Sequence, residues 1–270
     1  MYDEADEAAT SVKAYRAGLS RGARALVGPS FSSIAAYLAM LGGIDQVPMC
    51  SFWSSSPSLS SKENFPYFGR TYPSDTTATL ALPQMISALG WKSIAVIHTD
   101  DDYANQYTEG LRDNAPRFGV DVIGAWKFEP GDRGSISGAV KKIRDSGANI
   151  FVAISSTNSD LSTIFYEAEQ QGIVGKDYAW LTTDSVSAEG TIDHATDKAL
   201  ARRLLDGTVN VLRHGSNRTL ALTPVVRSGA GAEVGLGLGP RAPLHSVGHR
   251  VAQFYASAAG SDGYKRLSRA

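Results

Sequence analysis

The sequence predicts an α/β fold made of parallel sheets covered by helices. Helical and strand periods alternate along the chain from Thr10 to Leu205. Several strands read as unbroken apolar runs, as in sheets buried on both faces. The residues that follow each strand are mostly Ser, Thr, Asp and Tyr, the composition of a crevice beyond the carboxyl ends of strands.

The elements follow in order. Ala5, Ala8, Ala9 and Val12 fall at helical spacing and predict a helix over 5–17. Residues 25–27 read as a short buried strand ending at Gly28-Pro29, and Ile34, Leu38 and Leu41 mark the next helix face. Residues 47–52 form a second strand, and 65–71 are extended. Ser74-Asp75 caps a helix that runs to Leu89 through Pro83. Residues 94–97 are an apolar strand, and Tyr107, Leu111, Ala115 and Phe118 line a helix. A strand over 120–126 precedes a helix lined by Ile136, Val140 and Ile143. A strand over 150–154 precedes one lined by Leu161, Ile164, Phe165 and Ala168, and 178–182 closes the series as a strand.

Composition narrows the function. The 270 residues are 43% hydrophobic and 20% charged, with a net charge of −1, which excludes a generic basic nucleic-acid-binding surface. The single Cys50 excludes an internal disulfide framework and a multi-thiolate metal site, and reads as a buried strand-end cysteine. No apolar run approaches the roughly 20 residues that span a bilayer, and Tyr2-Asp-Glu-Ala-Asp-Glu7 is acidic where a signal peptide is basic. There is no G-x-S-x-G elbow and no phosphate-binding loop, so no catalytic residues, cofactor or metal are expected.

The region 213–250 differs in character. It holds one acid (Glu233), five arginines, no lysine and no aromatic, and fits neither a helical nor a strand period. It is expected to be irregular: a disordered insert or long loop, or an out-of-frame translation. Gly229-Ala-Gly231-Ala-Glu-Val-Gly235 is one residue longer than the dinucleotide fingerprint and lacks its strand and helix.

The strand ends carry the chemistry. Gly28-Pro-Ser-Phe-Ser-Ser33 lies between a strand and a helix, where unpaired N–H groups and the helix dipole suit a carboxylate or phosphate. Ser30, Ser32 and Ser33 add hydroxyls, and N-capping by one serine is the alternative. Trp53-Ser-Ser-Ser56 offers an indole and three hydroxyls after the second strand, or is a surface turn before Pro57. Asp75, Tyr103 and Asp184 together suit an ammonium group, whereas singly Asp75 reads as a helix cap and Asp184 as a turn.

The runs Val27-Gly-Pro-Ser-Phe-Ser-Ser33, Val47-Pro-Met-Cys-Ser-Phe-Trp-Ser-Ser-Ser56, Phe65-Pro-Tyr-Phe-Gly-Arg-Thr-Tyr-Pro-Ser-Asp75 and Gly90-Trp-Lys-Ser-Ile-Ala-Val96 resemble the receptor-family ligand-binding region. This is the type I periplasmic-binding-protein fold, and the nearest likeness is to class C G-protein-coupled receptors of the metabotropic GABA and glutamate kind. The likeness covers roughly residues 5 to 211. It implies two α/β lobes that close on a ligand. Residues 1–74 are expected as lobe 1, lacking the family's first strand and helix, and 75–206 as lobe 2. Residues 207–212 are expected to return to lobe 1, and 251–270 to form a C-terminal helix.

The resemblance also implies site residues. Ser32 and Ser33 fall where the family binds an amino acid's carboxylate, and Ser55 falls on a second lobe-1 contact. Asp75, Tyr103 and Asp184 fall where metabotropic glutamate receptors hold the α-ammonium group. Trp53 departs from the family, standing where relatives usually carry a small residue, and with Ser54 is expected to line the cleft, filling part of it or stacking on a ligand. The expected function is the extracellular ligand-binding module of a plasma-membrane receptor that senses an amino acid or similar zwitterion and signals to a G protein. The expected partners are that ligand and a second receptor subunit docked through lobe 1, without nucleic acid. The chain is expected to be a fragment whose membrane-spanning segments lie outside it. A soluble solute-binding protein for amino-acid uptake, the ligand-binding domain of a receptor guanylate cyclase, and a doubly wound enzyme are the alternatives.

Overall fold

The computed structural model describes residues 8–205, 208–213 and 220–224. The chain divides into two compact units: residues up to Thr77 with Asp101–Gly110, and Ala78–Asp100 with the chain from Leu111 onward. The segment 101–110, expected within lobe 2, therefore groups with the first unit.

In the first unit, α1 (Ala8–Ser20), β1 (Leu26–Val27), α2 (Ser32–Asp45), β2 (Met49–Ser51) and β3 (Phe68–Arg70) follow one another, with a 3-10 turn at Pro57–Ser60. The strands form a parallel sheet in the order β1-β2-β3, with Val27 beside Cys50 and Ser51 beside Arg70. One face is a true core. Met49 and Phe68 pack there with Tyr15, Ile34, Leu38, Leu59 and Phe65. The other face is open, with Val27 79% exposed and Cys50 exposed. Cys50 is thus not the buried strand-end cysteine that its apolar neighbours suggest. In a strand, alternate residues face opposite sides, so burying Met49 and Ser51 turns Cys50 outward. Helix α2 ends on Gln46 in the left-handed region (φ 56°), and the Val47 N–H returns to Gly42 O at 2.8 Å.

Helix α3 (Asp75–Ala88) starts in the first unit, continues through Pro83 and ends in the second. The second unit holds β4 (Ser93–Thr99), β5 (Asp121–Phe128), α5 (Arg133–Asp145), β6 (Ile150–Ile154), α6 (Asn158–Gln170), β7 (Ala179–Thr183), α7 (Ala188–His194), α8 (Lys198–Leu205), β8 (Val209–Arg213) and β9 (Leu220–Pro224). Helix α4 (Asp102–Asn114) precedes β5. It stops short of the Phe118 that its apolar spacing includes. Pro116 lacks an N–H, and Ala115–Phe118 tightens into a 3-10 turn.

The six-stranded sheet runs β5-β4-β6-β7-β8-β9. Its first five strands pair in parallel, and β9 adds antiparallel to β8. β6 and β7 are buried along their whole length, β6 as an unbroken apolar run and β7 with Thr182 and Thr183 also covered. The core gathers Phe151, Phe165 and Trp180, with ring centroids 4.6 Å apart for Phe151–Trp180 and 5.6 Å for Phe165–Trp180. The Trp180 indole N–H donates to Ile173 O at 2.9 Å, which satisfies its polar edge inside that core. Edge strand β5 has a register shift opposite Ile94 and Ala95, and there Gly124 makes room for an indole: a Cβ on it would lie 2.5 Å from the Trp126 ring. Asp132 caps α5 by accepting from the Gly134 and Ser135 N–H groups at 2.8 and 3.2 Å.

The C-terminal part adds two strands. Val209–Arg213, which overlaps the stretch 207–212 expected as the return to lobe 1, forms β8 beside β7. Within the region expected to be irregular, Leu220–Pro224 forms β9, which gains its order by pairing with β8 rather than from its own period. The remainder of 213–250 from 225 onward, and the helix expected over 251–270, lie outside the described residues. Among the described residues, no helix is long and apolar enough to cross a membrane.

Candidate ligand-binding site

In the first unit the turns after β1 and β2 meet through serine hydroxyls. Gly28 opens the first turn at φ 101°, a conformation that a side chain would strain. The buried Ser51 Oγ donates to Pro29 O at 2.7 Å and accepts the Ser54 N–H at 2.9 Å. Ser54 Oγ lies 3.0 Å from Pro29 O and 3.1 Å from Ser30 O. Ser32 Oγ accepts from the Ser55 and Ser56 N–H groups at 3.2 and 3.1 Å. Ser56 and Ser58 hydroxyls lie 2.8 Å apart, and Ser58 Oγ donates to Asp102 Oδ2 at 3.3 Å. Arg70 clamps the end of this loop by donating to Ser56 O at 2.7 Å and to Ser60 Oγ.

This web separates the expected site serines. Ser32 and Ser54 brace the two turns. Ser33 is half-buried, and its hydroxyl makes no hydrogen bond among the described residues. The Ser55 backbone is held at both ends, by Ser32 Oγ at its N–H and by the Asp75 N–H at its carbonyl (3.0 Å). Its hydroxyl, like that of Ser33, is not engaged within the described residues.

The serine-capping alternative for α2 is not what the fold adopts. Its N-cap is Phe31, which makes no side-chain cap bond. A 14-residue helix thus presents its first-turn N–H groups, with the positive end of its dipole, beside Ser33. Such an arrangement binds a carboxylate or another anion.

Asp75 is the first residue of α3 and is fully buried, with Ser74 Oγ 3.5 Å from the Thr76 N–H in the capping position. Tyr103, on α4, is 8% exposed and meets the Tyr107 ring edge-on at 5.9 Å. Asp75 and Tyr103 both belong to the first unit, and Asp184 belongs to the second. Asp184 is half-buried in the turn after β7, where the flanking Thr183 and Ser185 hydroxyls lie 2.9 Å apart and Ser185 Oγ donates to Ser155 O at 2.6 Å.

Trp53 is 46% exposed, and its ring stacks on Tyr72 at 4.9 Å with 23° between the planes. Sequence reasoning named Trp53 and missed Tyr72. The β2–β3 register brings them together, since Ser51 pairs with Arg70 and Trp53 and Tyr72 stand two residues beyond the end of each strand. At the end of β4, burial pushes the His98 imidazole below its ordinary pKa and keeps it neutral, with Nδ1 3.1 Å from Thr99 O.

The family described as "Receptor family ligand binding region" matches residues 2–220. Glutamate receptor 3.1 of Oryza sativa is 30% identical over 161 residues, covering 59% of this chain and 17% of the relative. Metabotropic glutamate receptor-like protein E of Dictyostelium discoideum is 26% identical over 165 residues, covering 59% and 20%. The human extracellular calcium-sensing receptor is 30% identical over 169 residues, covering 62% and 15%. The aligned part of the chain thus spans no more than a fifth of the length of these relatives. The parallel α/β units and the matched segment, which contains every strand-end residue described above, agree: the chain belongs to the receptor-family ligand-binding region.

Proposed function

We propose that this chain is the extracellular ligand-binding part of a membrane receptor that senses an α-amino acid or similar small zwitterion. The observation that carries this reading is the uncapped N-terminus of α2 beside the unengaged Ser33 and Ser55 hydroxyls. Those donors receive the ligand's carboxylate. The buried Asp75, with Tyr103 on α4, receives its ammonium group. Ligand binding shifts the population of receptor states, and that shift is the signal passed to a G protein.

The reading includes a receptor dimer formed through the first unit. Tyr37, Met40 and Ile44 on α2 are 56%, 55% and 72% exposed, and their i, i+3, i+7 spacing sets them in one apolar stripe. Such a stripe suits a second copy of the same helix across a two-fold axis. Calorimetric titration with α-amino acids, on the parent chain and on Ser33→Ala and Asp75→Asn, tests the ligand site. Absence of binding by any amino acid would refute it.

A further inference from the structure

The Trp53–Tyr72 stack sits on the two loops that hold Ser55 and Asp75. Trp53 precedes Ser55 by two residues, Tyr72 precedes Asp75 by three, and the Asp75 N–H donates to Ser55 O at 3.0 Å. The sheet register fixes the pair, because β2 and β3 bring Ser51 beside Arg70 and deliver the rings two residues later. The Trp53 N–H donates to Ser51 Oγ at 3.3 Å, which pins the turn that carries the indole. The rings therefore occupy a set position, yet the indole remains nearly half exposed. An indole of that size is ordinarily covered, and a rigid, exposed aromatic face is suited to stacking on another planar group.

The charges around the stack say which group. An acidic ligand side chain needs a cation to receive it. The Arg70 guanidinium is committed to Ser56 O and Ser60 Oγ, and the Lys62 ammonium to Phe68 O. These bonds draw both cations toward the 56–68 loop, and the surface that Trp53 presents is aromatic.

Resting on the amino-acid reading above, we infer that the Trp53–Tyr72 stack selects the ligand's side chain, and that the preferred ligand is an α-amino acid with an aromatic side chain rather than an acidic one.

Calorimetry on the chain with glycine, L-phenylalanine, L-glutamate and L-arginine tests this. L-Phenylalanine should bind about ten-fold more tightly than glycine, the margin that one added aromatic contact supplies. Trp53→Ser should collapse the phenylalanine-to-glycine ratio toward one, and Trp53→Phe should retain part of it. Far-UV circular dichroism reports whether each variant folds, and the ligand ranking on the parent chain stands as a test if Trp53→Ser does not. Tighter binding of L-glutamate or L-arginine than of L-phenylalanine overturns the inference, as does an unchanged ratio in a folded Trp53→Ser. Glycine and phenylalanine binding equally removes the platform and leaves the amino-acid site standing. Binding of none of the four removes both.

Discussion

The Ser32 hydroxyl accepts the Ser55 N–H at 3.2 Å, so the turn after β1 and the turn after β2 are held to each other by one buried side chain. Ser33, its neighbour in sequence, makes no such bond and stands beside the uncapped start of α2. Adjacent residues of the same type thus differ in role: Ser32 braces the loops, and Ser33 is the one the proposal gives to the ligand.

Ser32→Ala should destabilise the chain by about 1–3 kcal/mol, because the Ser55 and Ser56 N–H groups lose their acceptor in a buried place. Ser33→Ala should leave stability within about 0.5 kcal/mol of the parent. Urea unfolding followed by circular dichroism separates them, and equal midpoints would contradict the division.

Tyr15 donates its hydroxyl to Asp45 Oδ2 at 2.9 Å. Burial first, then this hydrogen bond and the Asp45 charge, push its pKa up to about 12. The folded chain therefore keeps the phenol proton that the unfolded chain releases near pH 10. The associated stability is fully present below about pH 10 and is lost as the pH rises toward about 12. Ultraviolet difference titrations of the parent and of Tyr15→Phe should differ by one phenol that ionises late.

His98 behaves in the opposite sense. Burial lowers its pKa in the folded chain, and its surroundings include Asp100, Lys127 and Arg112. The unfolded chain then binds a proton first, near pH 6.5. Stability present above that pH is lost as the pH falls through it toward the lower folded value. Thermal midpoints of parent and His98→Gln should converge as the pH drops from 7 to 5. Parallel curves across that range would show that His98 does not titrate with folding.

The α2 stripe makes a prediction about assembly. Ile44→Arg places a charge in the apolar stripe of Tyr37, Met40 and Ile44, and should convert a self-associating chain to monomer in sedimentation equilibrium. A parent chain that stays monomeric at every accessible concentration would contradict a dimer through this face.

The sequence carried the second unit's strands and helices up to β7 plainly, because their periods show: the wholly apolar 150–154 and the Ile136, Val140, Ile143 face; α7 and α8, of seven and eight residues, were not read. The first unit was less legible. Its strands are two or three residues long, too short to show which face is buried, so the outward turn of Cys50 depends on packing that only the fold supplies. The Trp53–Tyr72 stack joins residues nineteen apart through strand register, and β9 takes its order from pairing with β8. The Phe31 position at the start of α2 could not be read because three serines offered themselves as caps around it.

The most direct test of the account is the affinity of an α-amino acid for the parent chain and for Ser33→Ala, measured by calorimetry with glycine and L-phenylalanine. Loss of one hydrogen bond to a carboxylate contributes about 1.5 kcal/mol or more, so the variant should bind about ten-fold more weakly while folding as well as the parent. A folded Ser33→Ala that binds both amino acids with the parent's affinity would contradict the carboxylate site at the start of α2.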